Sequence, residues 1–96
     1  MDSFLVEHYR PGVATDELTR WASRVRDAVA ALEREGKAVR FLRSAVVPRD
    51  ESLLCVLEAA SEELVREAYA RAGIPFERIS AAITDNAPQP DQGGRT

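Results

Sequence analysis

The sequence predicts an α+β sandwich of one sheet and two helices in the order β-α-β-β-α-β. Three observations carry that prediction. Short runs of alternating or continuous apolar residues recur near residues 3–9, 39–47, 53–58 and 78–84, as strands require. Between the first and second runs, and between the third and fourth, apolar residues instead return every three or four positions, the pattern of a helix with one buried side. Turn residues punctuate the chain where these patterns change: Pro11-Gly12, Gly36, Pro48, Gly73 and Pro75.

The first strand, Ser3 to Tyr9, sets Phe4 and Val6 against Leu5 and Glu7. Thr15 is the expected N-cap of the first helix, with Asp16 and Glu17 placed against the positive end of its dipole. Leu18, Trp21, Ala22, Val25, Ala28, Val29 and Leu32 form its buried stripe, and Gly36 suits its left-handed end. Val39 to Val47 reads as the second strand, and Leu53 to Glu58 as the third. Pro48-Arg49-Asp50-Glu51 is the hairpin loop between them. The third strand is apolar at consecutive positions, which suits a central strand covered on both faces. Ser61 caps the second helix, with Leu64, Val65, Ala68, Tyr69 and Ala72 on its buried side, and Gly73 and Pro75 end it. Arg78 to Thr84 is the last strand. Residues 1–85 are read as a single domain. Residues 86–96, rich in Pro, Gly, Gln and Asp, are expected to form a disordered tail.

Two right-handed crossovers interlock these halves as a split βαβ, the ferredoxin-like sandwich: a four-stranded antiparallel sheet with two helices on one face. Strict alternation assigns Phe4, Val6, Leu42, Val46, Leu53, Cys55, Leu57, Ile79 and Ile83 to the helix side. It leaves Leu5, Phe41, Ala45, Val47, Leu54 and Val56 on the opposite face, with Glu7, Arg43 and Glu58 among them. A chain of 96 residues cannot cover that face alone. A homodimer is therefore expected, two sheets pairing as a dimeric α+β barrel.

Several segments resemble a small ferredoxin-like family of mostly unknown function that includes an actinobacterial nickel-binding protein. They are Phe4-Leu5-Val6-Glu7, Pro11-Gly12, Val39-Arg40-Phe41-Leu42-Arg43-Ser44, Cys55-Val56-Leu57-Glu58-Ala59, Val65-Arg66-Glu67 and Ala72-Gly73-Ile74-Pro75. The resemblance implies a face-to-face homodimer and a divalent metal site, with nickel as the expected ion. Ala68 stands where that family often carries a histidine, and His8 where it more often has another polar residue.

Composition narrows the function. An apolar content of 45% and a charged content of 30% describe a globular chain. A net charge of −3 argues against nucleic acid as a partner. No apolar run approaches the length of a membrane span. The N-terminus lacks the regions of a signal peptide, and one cysteine permits no internal disulfide, so a cytoplasmic location is expected. Glu7 and Glu58 are the carboxylates expected to share the open face, with Arg43 one strand further out. Together with Phe41 and Val56 they form the expected ligand site. Glu7 and Glu58, joined by His8, would ligate a metal. In an enzyme of the cofactor-free monooxygenase, isomerase or cyclase kind, Glu7 would act as base and Arg43 would steady an oxyanion. The plainer reading is a Glu–Arg network that fixes the register of a dimer. A surface position is expected for His8. Cys55 reads as a buried thiol rather than a nucleophile.

Overall fold

The computed structural model describes residues 1–83. Strand β1 (Asp2–Tyr9) leads through the Pro11-Gly12 turn to helix α1 (Thr15–Arg34), then to β2 (Val39–Val47), a single 3-10 turn η1 (Pro48–Asp50) and β3 (Ser52–Ala59). Helix α2 (Glu62–Ala72) and β4 (Arg78–Ala82) complete the order read from the sequence. All pairings are antiparallel, and the sheet order is β2-β3-β1-β4. Thr84 and the expected tail, 86–96, lie outside the described residues. No helix among the described residues is long and apolar enough to cross a membrane.

The core lies between the sheet and the helices. α1 contributes Leu18, Ala22, Val25, Val29 and Leu32, and α2 contributes Val65, Ala68, Tyr69 and Ala72. Phe4, Val6, Leu53, Cys55 and Leu57 meet them from the central strands. Each large side chain buried there contributes about 1.5–3 kcal/mol by leaving water. The helix starts differ from each other. Ser61 caps α2 by accepting from the Leu64 N–H at 3.4 Å, as expected. α1 begins at Thr15 itself, with extended Ala14 as N-cap and no side-chain cap. At the other end of α2, Gly73 takes φ 69°, a left-handed backbone that glycine adopts without strain. Arg24 of α1 donates to the Ala72 carbonyl there at 2.7 Å, tying the two helices together.

Strict alternation fails in β2. Phe41 pairs with Leu57 and Arg43 with Val56, so Leu42 is an extra residue, a β-bulge. The bulge reverses the phase of the first half of the strand. Phe41 therefore packs on the helix side with the Arg26 guanidinium 4.9 Å above its ring, not on the open face. Arg40 takes the open-face position instead, beside Glu58. Leu42 is half-buried and is not among the side chains packed on the core. Ile83, also expected on the helix side, follows the end of β4 and is fully exposed.

Candidate functional site

The open face keeps Leu5, Val47, Leu54 and Val56 half-buried, with Ala45 exposed. At the end where β1 runs out, this face falls into a cleft of about 500 Å³. Val47, Leu54 and Tyr9 provide its apolar wall, and Glu7, Asp50, Ser52, Glu77 and Arg78 its polar rim. Its shape is fixed by backbone bonds. The Glu77 N–H donates to the Glu7 carbonyl at 2.8 Å, which holds the loop before β4 against β1. On the other side Glu51 adopts φ 50°, a left-handed conformation that costs a non-glycine residue about 1 kcal/mol or more. Its carboxylate accepts from the Gly12 N–H at 2.9 Å, and its carbonyl accepts from the Arg10 N–H at 3.0 Å. The strained residue thus fastens the β2–β3 turn to the β1–α1 turn and sets one wall of the cleft.

The expected site residues do not converge. Glu7 faces Leu54 across the sheet, while Glu58 faces Ser3. The two carboxylates stand four residues apart along the strands, about 13 Å at the rise of a β-strand. Each has its own cation. Arg78 of β4 reaches the Glu7 carboxylate at 2.9 Å, and Arg40 reaches Glu58 at 3.5 Å. Arg43 is exposed opposite Val56, with β3 between it and β1. Of the expected residues, Glu7 lines the cleft, and His8 lines it from within the sheet. Val56 stays on the open face opposite Leu5.

His8 is buried rather than at the surface. It follows Val6 on the helix side, where its ring lies 5.2 Å from that of Tyr69. Nδ1 sits 2.9 Å from the Leu53 carbonyl, while Nε2 has no partner among the described residues. Burial lowers the pKa of His8, so the ring is neutral at pH 7. Nδ1 then carries the proton and donates to Leu53. Burial likewise raises the Cys55 thiol to about 11, and the thiol is inert as expected.

Sequence reasoning missed Tyr9, Asp50, Ser52, Glu77 and Arg78. Arg78 had a legible signal, since it alternates with Ile79 and so had to share the face of Glu7. Asp50 and Glu77 sit on turns whose path no periodicity reveals.

The fold is a half-open ferredoxin-like sandwich with a cleft at one end of its bare sheet. The chain belongs to the family described as nickel responsive protein SCO4226-like, whose pattern matches residues 4–81. Among solved structures, that of SCO4226 from Streptomyces coelicolor A3(2) superposes with a TM-score of 0.65 at 24% identity. The match covers 86% of this chain and 98% of that one, and it supports the fold. No curated protein matches the chain.

The family description makes nickel the ion to test against the residues present. Nickel favours imidazole, and the one imidazole here is buried with Nδ1 engaged. No three His, Cys, Asp or Glu side chains among the described residues group as metal ligands. A single copy of the chain does not build a nickel cage from them.

Proposed function

We propose that this chain is a homodimeric binding protein that holds a small ligand in the cleft at the end of its open sheet. The observation that carries the reading is the cleft itself, preformed and opening on an apolar face that no helix among the described residues covers. Two copies pairing sheet to sheet would bury Leu5, Leu54 and Val56 and wall in the cleft. A cytoplasmic setting suits the lone, buried Cys55.

Family membership favours a second occupant, a divalent metal such as nickel, which would need donors from both copies. Catalysis has less support. Arg78 already holds the Glu7 carboxylate that would serve as base, and Arg43 stands on β2 with β3 between it and Glu7.

Light scattering on the full chain should report a dimer at micromolar concentration. Val56→Arg should give a monomer with unchanged helical circular dichroism. A monomeric parent protein would overturn the dimer. Metal analysis of untagged protein separates the occupants, since nickel at about one per chain would move the reading from organic ligand to metal.

A further inference from the structure

We infer that the cleft selects an organic ammonium ion, a protonated amine carrying an apolar body. The inference rests on the binding reading above and names the chemistry of that same site.

Size comes first. A cleft of about 500 Å³ suits a small organic molecule rather than a bare ion. Its wall is apolar where Val47 and Leu54 face it, and the Tyr9 ring stands 54% exposed beside them. This surface offers burial to a hydrocarbon or aromatic body.

The rim decides the sign of the head group. Glu7, Asp50 and Glu77 bring three carboxylates against one guanidinium, that of Arg78. Arg78 is already committed, with Nε and Nη2 both 2.9 Å from Glu7 Oε2. Asp50 and Glu77 form no ion pair among the described residues, so the rim keeps an excess of negative charge. The remaining polar groups do not reverse this. The Ser52 and Tyr9 hydroxyls can accept as well as donate. Neutral His8 spends its one N–H on the Leu53 carbonyl and so offers the cleft no donor.

An anion here would meet two uncompensated carboxylates and find the one cation occupied. A neutral ligand would gain the apolar wall and only uncharged-donor hydrogen bonds. An ammonium ion gains the wall, charge-assisted hydrogen bonds to Asp50 or Glu77, and the face of Tyr9. The rim is also held before any ligand arrives. Glu77 is anchored by its N–H on Glu7, and Asp50 by the turn that Glu51 fastens. The backbone of the rim is thus set in advance, and the Asp50 and Glu77 side chains are what binding must order.

Three probes of equal length test the idea on the full chain by titration calorimetry: n-hexylammonium, n-hexanol and hexanoate. Hexylammonium should bind at least about tenfold more tightly than hexanol, the scale of one charge-assisted contact, and hexanoate more weakly than either. Asp50→Asn and Glu77→Gln should each weaken hexylammonium by several-fold to about tenfold and affect hexanol much less. Both residues are exposed, and light scattering and circular dichroism should confirm that neither change alters assembly or fold. Equal binding of all three probes would overturn the ammonium assignment while sparing the cleft as an apolar site. Binding of none would overturn both.

Discussion

Tyr69→Phe should stabilise this protein. Tyr69 is 1% exposed, and its hydroxyl has only the Cys55 thiol beside it as a partner among the described residues. Burial pushes the phenol far above its ordinary pKa, and the neighbouring Cys55 thiol is a weak acceptor at best. An unsatisfied buried polar group costs about 1–3 kcal/mol. Deleting one oxygen forfeits a handful of contacts worth about 0.1–0.2 kcal/mol each. The ring keeps its neighbours, His8 at 5.2 Å and Phe76 at 5.4 Å in an edge-on arrangement. The balance favours phenylalanine by about 1 kcal/mol, or about 5 °C in melting temperature for a domain of this size. Urea denaturation at neutral pH reads it as a higher midpoint with an unchanged slope. A loss of 1 kcal/mol or more would refute the reasoning. It would mean that the hydroxyl is hydrogen-bonded in solution, for example through a buried water to His8 Nε2.

Acid should destabilise the fold through His8. Its folded pKa lies below the ordinary 6.5 because burial disfavours the charge. Stability is therefore full above about pH 6.5 and falls as the pH drops toward the folded value. Denaturation midpoints across that range should fall less steeply in His8→Gln, and an identical slope would exclude His8 as the cause. Glu51→Ala should cost about 1 kcal/mol, because it keeps the left-handed strain and loses the bond to Gly12. Glu51→Gly should cost less, since glycine takes that φ freely. The opposite order in thermal melts would show that Glu51 is not the clamp.

Much of the fold was legible because it rests on periodicity. The stripes from Leu18 to Leu32 and from Val65 to Ala72 repeat with the helical period, and Phe4, Val6, Leu53, Cys55 and Leu57 follow the two-residue pleat. The same rule misplaced Phe41. One extra residue at Leu42 shifts the phase, and nothing in Arg40-Phe41-Leu42-Arg43 marks it. The site was legible only in part, because it depends on register. Alternation correctly put Glu7 and Glu58 on one face of neighbouring strands but could not say that they stand four residues apart. The partner of Glu7 came from β4 rather than β2 for the same reason. Alternation turns His8 away from Glu7, toward the helix side or the strand end, and the surface position expected for it was wrong. The ring is tolerated inside because Leu53 offers a carbonyl at the one position its Nδ1 can reach.

The bulge at Leu42 also bears on how copies of this chain can meet. β2 is an outer strand of nine residues, long enough to recruit a stranger's backbone and extend the sheet. The bulge breaks its hydrogen-bonding repeat, and Arg40 and Arg43 flank the break. The other outer strand, β4, has only five residues. Growth along the edges would be open-ended, a ribbon with no last member. With both edges blunted, the pairing proposed above would fall on the flat of the sheet, where a pair would leave nothing for a third copy to join.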